Sequence, residues 1–435
     1  MMVLPPRCSS GGALFRPRPA PPAPGGWFAV AAGLGPWGWA AFVLLLLVLA
    51  GGQPGLASSG AAPIRLGEVN PLTGSLALHG VEIHQGIEAA VAEVNAQGGI
   101  AGRPVELLSR DDQSKPDVAL NQTQELILRQ QVVGLLGGYV DSLVGPISTL
   151  AARHQTPYVA AASLQRSLTA TRNPFFFRIS TMAGLLHPLG RFLVEVVKPQ
   201  TVAILYTATP GSTEFAASLR EMLAKEGLAV PVFEKFRPGT PDFSMLLLKM
   251  KEKQVEVVVS GGFLADNLLL ARQLREQQTP VKAFVAPWGV AYEKFARELR
   301  QLSEGLLGMC AWLPGFSYPG SEAAAAAFVQ AFQARYGHLP NSTTMHGYAA
   351  AKVLLAAIGA VVQQGQPLTG SMVAQELRRT DLLLPLGRVR FSDHGDPLAY
   401  EQVIVQIQGG AFQVVYPPER ATAPLVYPLP PAAGP

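Results

Sequence analysis

The alternation of hydrophobic and polar positions first becomes regular where a strand, a helix and a second strand follow one another. The apolar run Ile64–Val69 is followed by apolar residues at helical spacing from Val81 to Asn95. Gly98-Gly99 ends that helix, because glycine takes positive φ without a steric penalty, and Pro104–Leu108 resumes as a strand. This order predicts a βαβ unit of a parallel sheet, with a ligand-binding loop after its first strand.

Short apolar strands continue to alternate with amphipathic helices to about residue 310. Such strands are typical of a doubly wound parallel sheet that helices cover on both faces. The alternation breaks at Asn173–Ser180 and then restarts, which indicates two lobes of similar build. The stretch Ala349–Val362 is apolar but short and contains Lys352, so we predict a buried helix rather than a membrane span. We expect the proline-rich tail, Ala421–Pro435, to be disordered.

The first 62 residues have the pattern of an export leader. Arg7, Arg16 and Arg18 precede the apolar run Trp27–Ala50, and small uncharged residues follow it at 51–62. A positive region, an apolar region and a small-residue cleavage zone predict a signal peptide and an extracytoplasmic, soluble mature protein. An uncleaved N-terminal membrane anchor is the alternative, since the apolar run is long enough to span a bilayer.

Composition and charge narrow the function classes. The chain is 49% hydrophobic and 15% charged, as expected for a globular protein with large cores. Without the three leader arginines, 31 basic residues face 30 acidic ones, so a basic surface for nucleic acid is not predicted. The mature protein retains one cysteine, Cys310, and therefore no internal disulfide.

The sequence shows no set of residues typical of catalysis. It lacks histidine and cysteine clusters at metal-ligand spacing, and Gly137-Gly138 and Gly261-Gly262 do not extend to a dinucleotide motif. We therefore expect no enzyme activity, no metal and no cofactor. Small, hydroxyl and aromatic residues instead follow the predicted strands, where backbone N–H groups and helix N-termini can bind a ligand. These strand-end loops are residues 73–80, 138–142, 161–163, 206–211, 261–263 and 286–289.

Several of these segments resemble one known family, the periplasmic branched-chain amino-acid (Leu/Ile/Val) binding proteins of ABC transporters. The matching segments are Gly67–Gly80 (GEVNPLTGSLALHG), Asn95–Gly102 (NAQGGIAG), Arg110–Pro116 (RDDQSKP), Gly137–Pro146, Pro157–Thr169, Phe177–Ser180, Gly261–Phe263 and Ala286–Val290. The resemblance extends from Ile64 to Tyr416, nearly all of the mature chain.

The resemblance implies a type I periplasmic binding fold, in which two α/β lobes joined by a three-strand hinge close on a small ligand. The first lobe would comprise residues 63–180 and 311–387, and the second 181–310 and 388–420. The passages between them would lie near residues 179–183, 310–314 and 386–390. Such a protein delivers its ligand, as a monomer, to permease subunits in the membrane.

The resemblance also implies a set of ligand-binding residues. His79 falls at an aromatic position of the first-lobe wall, and Asp141-Ser142 falls where a serine hydroxyl meets the ligand's charged group. The others are Ala162, at a backbone contact; Ser163, at or beside a threonine hydroxyl; Phe263, at a tyrosine position; and Trp288.

Trp288 departs from the family, because it replaces the acidic residue that pairs with the α-ammonium group of an amino acid. Leaving a buried ammonium without a carboxylate costs about 3–5 kcal/mol, although Asp141 offers a substitute from the other lobe. The ligand class therefore remains open among amino acids, amides and aromatic or apolar carboxylates.

Two other functions compete with solute import. The same fold serves as a sensor or receptor module, which neighbouring permease and ATPase genes would distinguish from an import protein. An α/β oxidoreductase is disfavoured by the missing dinucleotide motif.

Overall fold

The computed structural model describes residues 62–431, so the predicted leader lies outside the described residues except for its last position. The strands are β1 Ile64–Asn70, β2 Val105–Asp111, β3 Leu135–Gly137, β4 Tyr158–Ala160, β5 Phe176–Arg178, β6 Thr201–Thr207, β7 Ala229–Phe236, β8 Val257–Gly261, β9 Ala283–Ala286, β10 Leu307–Cys310, β11 Leu382–Leu384, β12 Gly387–Val389, β13 Val403–Gln408 and β14 Ala411–Tyr416. The α-helices are α1 Ala77–Ala96, α2 Pro116–Leu128, α3 Asp141–Arg153, α4 Ser167–Ala170, α5 Met182–Arg191, α6 Pro210–Lys225, α7 Ser244–Glu252, α8 Leu264–Glu276, α9 Glu293–Leu299, α10 Glu322–Tyr336, α11 Ser342–Gln363 and α12 Gly370–Arg378.

These elements form two α/β lobes, each built on one large sheet. The first sheet is parallel, with strand order β2-β1-β3-β4-β5. The second has the order β14-β13-β10-β9-β8-β6-β7, in which β13 and β14 form an antiparallel edge on a parallel sheet. The predicted two-lobed α/β architecture is confirmed, with this antiparallel edge as an addition.

Helices cover both faces of the central strands, which is why those strands are almost continuously apolar. On the first sheet, α1 and α11 pack on one face and α2 and α3 on the other. On the second, α5 and α6 pack on one face and α7 and α8 on the other. The site residues thus lie in loops supported by two fully covered sheets.

The strand order reverses once in the parallel part of each sheet. β1 separates β2 from β3, and β6 separates β7 from β8. A crevice forms outside the carboxyl ends of the strands at such a reversal, because the two connecting helices leave on opposite faces. The fold therefore gives each lobe a crevice, one beside the loops after β1 and β3 and one beside the loops after β6 and β8.

Within residues 62–431 the chain passes between the lobes three times, and the third passage differs from the prediction. The first lies between Ile179 and Met182, and the second follows β10. Residues 388–400 were predicted in the second lobe, but Val389, Phe391 and Tyr400 are buried against the first sheet. The third passage accordingly lies between Tyr400 and β13, about a dozen residues later than residues 386–390. The β-like pattern there belongs to the separate hairpin β11–β12 rather than to the second sheet.

The tail also differs from the prediction, because residues 421–431 pack along the second lobe. Leu425 and Tyr427 contact the core beneath β6 and β8. The Gln406 side chain donates to the Val426 carbonyl oxygen and accepts from its N–H, at 2.8 and 2.9 Å. Main-chain bonds add to this, because the N–H groups of Thr422 and Leu429 donate to the carbonyl oxygens of Val414 and Lys282. Prolines have no N–H to satisfy, so few donors of the tail need partners. The expectation of disorder was therefore wrong for these residues.

Helix α11 is the described helix that is long and apolar enough to cross a membrane. Most of its residues are buried, and it packs against α1 in the core of the first lobe. This placement agrees with the prediction of a buried helix.

Arg178, at the end of β5, joins three distant segments of the first lobe. Its side chain is 1% exposed and pairs with Asp396, with 2.6 Å between Nε and Oδ1. It also donates to the carbonyl oxygens of Ser163 and Gln165 and to the Thr169 hydroxyl. The loop after β4 and residues 392–396 are thus fixed to the sheet by one buried cation.

We predict that Arg178→Met lowers the free energy of unfolding by about 1–3 kcal/mol, because it leaves the carbonyl oxygens of Ser163 and Gln165 without their donor. Chemical denaturation of residues 63–435 measures this change. Arg65→Met is the matched control, because Arg65 pairs with Glu106 at 3.0 Å with both side chains nearly half exposed, and such pairs contribute about 0–1 kcal/mol. Equal effects of the two substitutions would contradict the central role of Arg178.

Candidate functional site

A cleft of about 450 Å³ lies between the lobes and is lined by residues from both. All six predicted strand-end loops contribute to it, through Ser75, Tyr139, Ala162, Thr209, Phe263 and Trp288 among others. The carboxyl ends of both sheets therefore face the same cavity. Of the seven residues predicted from the resemblance, six line this cleft; His79 does not.

The first-lobe end of the cleft carries hydrogen-bonding groups that the protein leaves free. Helix α3 starts at Asp141 after Val140, whose side chain forms no cap, so the first N–H groups of the helix lack intrahelical partners. The Ser142 side chain lies in this first turn and lines the cleft. Ser163 is 1% exposed, and its Oγ has no hydrogen-bond partner among the described residues. Buried hydroxyls are normally bonded, so this end is suited to an anionic or acceptor group of a ligand.

Asp141 has a partly structural role in the same corner. Its Oδ1 accepts the N–H groups of Leu164 and Gln165 at 2.8 and 2.9 Å, which fixes the loop after β4. Burial raises the pKa of Asp141, and those two hydrogen bonds oppose the rise. Its Oδ2 faces Gly211 in the first turn of α6, where an added Cβ would lie 2.4 Å away. Glycine at 211 therefore lets the second lobe approach this carboxylate.

Tyr139 forms the aromatic wall that the resemblance assigned to His79. The two rings stack with centroids 4.2 Å apart, so His79 supports Tyr139 from behind. Burial lowers the pKa of His79 to about 3, which keeps the imidazole neutral. Gly138 precedes Tyr139 at φ +84°, and a Cβ there would lie 2.3 Å from the Tyr158 hydroxyl. Only glycine fits this turn, and the aromatic residue directly after this strand-end glycine is the sequence signal that could have indicated the wall.

The second-lobe wall is aromatic. Trp288 is partly exposed to the cleft and packs edge-on against Phe215, with ring centroids 5.1 Å apart. Its carbonyl oxygen accepts from the Asn267 side chain at 2.6 Å, which fixes the loop after β9. Phe263 lies 6.3 Å from Tyr139 across the cleft. Trp288 therefore both packs in the second lobe and presents a face to a ligand.

Two more residues complete the cleft beside the hinge, and no sequence pattern indicated them. Tyr400 and Gln402 lie on the third passage, which was predicted elsewhere. The Gln402 Nε2 donates to the Tyr400 hydroxyl at 2.7 Å, and that hydroxyl lies 3.2 Å from His346 Nε2. Burial lowers the pKa of His346 to about 4, so this ring too is neutral.

The lobes touch each other on both sides of the cleft. On one side, the Tyr292 hydroxyl bonds to His79 Nδ1 at 2.9 Å and to the Thr343 hydroxyl. On the other, Arg166 pairs with Glu214 at 2.8 Å. The two lobes are therefore in direct contact beside the cleft as well as through the three passages of the chain.

The charged groups at the cleft are few. Among the described residues that line it, the acids are Asp141 and Asp266, and no lysine or arginine is present. Both oxygens of Asp266 accept backbone N–H groups, from Gly239 and Phe263. Residues 62–431 contain no cluster of three or more His, Cys, Asp or Glu side chains placed to bind a metal. Burial raises the pKa of the Cys310 thiol to about 12, which makes it a poor nucleophile.

Comparison with known proteins gives consistent results. A family model described as periplasmic binding protein matches residues 63–411. The Leu/Ile/Val-binding protein homolog 2 of Brucella abortus is 26% identical over 80% of this chain and 91% of its own.

Solved structures share the fold. The branched-chain amino-acid binding protein LivJ of Streptococcus pneumoniae, in complex with isoleucine, superposes with a TM-score of 0.73 at 22% identity, covering 84% of this chain and all of that one. A solute-binding protein of an ABC transporter from R. palustris, in complex with benzoate, superposes with a TM-score of 0.72 at 18% identity, covering 84% and 97%.

Glu82, on α1 of the first lobe, makes the folding stability of the protein sensitive to pH. Its Oε1 accepts from Asn341 at 2.6 Å, while its Oε2 is buried without a partner among the described residues. Burial raises its pKa to about 8, against the lowering effect of the Asn341 bond. The folded protein therefore holds a proton that the unfolded chain releases near pH 4.5, so stability falls as pH rises from about 5 to 8.

We predict that Glu82→Gln reduces this loss of stability, measured as unfolding free energy at several pH values. Glu88→Gln is the control. Burial favours a higher pKa for Glu88, but hydrogen bonds from Tyr336 and Arg335 hold it below the ordinary value. Its substitution should therefore shift stability by a constant amount between pH 5 and 8. If the unfolding free energy of Glu82→Gln depends on pH as steeply as that of the unsubstituted protein, Glu82 is already ionised in the folded protein over this pH range.

Proposed function

The chain belongs to the periplasmic binding protein family, and from this premise we propose that it is an extracytoplasmic solute-binding protein of an ABC importer. It captures a small ligand between its lobes and delivers it to permease subunits in the membrane. We further propose that the leader is cleaved, that the mature protein acts as a monomer and that it catalyses no reaction. A sensor of the same fold is the alternative.

We propose a carboxylate with an apolar or aromatic body as the ligand. One observation carries this proposal: free N–H and hydroxyl groups at one end of the cleft face an aromatic wall that lacks a carboxylate. The carboxylate would bind at Ser142, Ser163 and the first turn of α3, where the helix dipole favours an anion. Trp288 and Phe263 would pack on the body of the ligand, and such aromatic contacts contribute about 0.5–1.5 kcal/mol beyond burial.

An α-amino acid is the second candidate, and Asp141 Oδ2 favours it. This oxygen faces the second lobe across the cleft and is placed to pair with an ammonium group. The family includes proteins solved with isoleucine as well as with benzoate. Aromatic acids remain the better proposal, because Asp266 is engaged by backbone N–H groups and the usual acidic position holds Trp288.

A binding screen of purified residues 63–435 tests the proposal, with benzoate, benzamide, leucine and phenylalanine as probes. We expect benzoate to raise the melting temperature, with about 2.7 kcal/mol of added stability at 100 times its Kd. Trp288→Ala should weaken benzoate binding tenfold or more, and Ser142→Ala should weaken it by removing a carboxylate partner. Thr149→Ala is the control, because Thr149 lies on the exposed side of α3. Binding of leucine but not benzoate would establish the amino-acid alternative.

A further inference from the structure

The cleft contains a buried amide whose partner the protein does not supply. Gln402 is 7% exposed and lines the cleft beside the hinge. Its backbone N–H donates to the Gly184 carbonyl oxygen at 2.9 Å, which fixes the main chain. Its Nε2 donates to Tyr400, but its Oε1 is buried without a partner among the described residues.

Neither the neighbouring hydroxyl nor the neighbouring imidazole donates a hydrogen bond to the amide oxygen of Gln402. The Tyr400 hydroxyl already accepts from Gln402 and is within bonding distance of His346 Nε2. With that hydroxyl accepting from Gln402, its own hydrogen is available to Nε2 of the neutral His346 ring, in the tautomer that leaves this nitrogen as an acceptor. The chain of bonds therefore runs from Gln402 through Tyr400 to His346 and leaves the amide oxygen of this cleft-lining side chain without a partner among the described residues.

An unpaired buried amide oxygen is costly, and an apolar side chain of the same size would avoid that cost. Because Gln402 lines the cleft, a ligand could provide the missing hydrogen bond by donating an O–H or N–H group to this oxygen. With the amide in this orientation a carboxylate is not a suitable partner, because two acceptors repel each other.

We propose that Gln402 determines ligand specificity by binding a hydroxyl group on the body of the ligand. The inference rests on the proposed function and deepens it: the ligand class becomes hydroxylated carboxylic acids. A hydroxyl both donates and accepts, so it completes the amide in either of the orientations that exchange Oε1 and Nε2.

Calorimetric titration of matched ligand pairs tests this inference. The probes are benzoate, 3-hydroxybenzoate and 4-hydroxybenzoate, added to residues 63–435. We expect at least one hydroxylated acid to bind about tenfold or more tightly than benzoate, since a site built for a hydroxyl penalises its absence. Gln402→Met should bring this ratio close to one, because methionine offers no partner to the ligand hydroxyl.

Gln406→Met is the matched control. Gln406 is also a buried glutamine, on β13, but its side chain bonds to Gly305, Val426 and Gln408. Its substitution should lower the melting temperature and leave the ligand ratio unchanged, whereas Gln402→Met should leave the melting temperature unchanged or raise it. If Gln402→Met does not fold, Gln402→Leu provides the same comparison.

The outcomes separate this inference from the proposed function. Binding of the acids without a hydroxyl preference, or a preference that survives in Gln402→Met, overturns the inference alone. If only amino acids bind, the ratio is measured with phenylalanine and tyrosine, and a Gln402-dependent preference then supports the inference while the proposed ligand class fails. If neither the benzoates nor phenylalanine and tyrosine bind, the inference and the proposed ligand class are both overturned.

Discussion

The buried guanidinium of Arg178 is the interaction on which the binding site depends. It pairs with Asp396 and binds the carbonyl oxygens of Ser163 and Gln165. A buried cation is tolerated only when its hydrogen bonds are satisfied, so these partners must stay in place together. The same bonds that satisfy the charge therefore set the shape of the loop that carries Ser163. They also hold residues 392–396 on the first lobe, which delays the third passage and brings Gln402 to the cleft.

The cleft has aromatic walls, a few polar groups and little charge. Burial keeps His79 and His346 neutral, the carboxylate of Asp266 is engaged by backbone N–H groups, and no described lining residue is a lysine or arginine. In the proposed function, ligand recognition would depend on hydroxyls, helix N–H groups and one amide. Such groups are directional, and a ligand lacking the matching atom leaves them unpaired. The proposed selection among small acids of similar size rests on this property.

Hydroxyl contacts and an ion pair also link the lobes beside the ligand cavity. Tyr292 reaches from the second lobe to His79 and Thr343 in the first, near the unpaired oxygen of Glu82. The aromatic wall and the lobe contact therefore share residues, because Tyr139 stacks on the same His79.

The sequence by itself determined the two-lobed α/β fold and the loops that form the site. Strand and helix periods are local properties, so the strand-end loops could be read from the sequence. Parallel strands end on the same edge of a sheet, which made the cleft the predictable location of Asp141, Ser142, Ser163 and Trp288. Tertiary structure alone decided three other features. His79 lies behind Tyr139 because of how the rings stack. The proline-rich tail is ordered because side chains of β13 and main-chain carbonyl oxygens of the second lobe bond it. Gln402 lies at the cleft because Arg178 and Asp396, 218 positions apart, hold the third passage to the first lobe, and no local pattern encodes a contact over that separation.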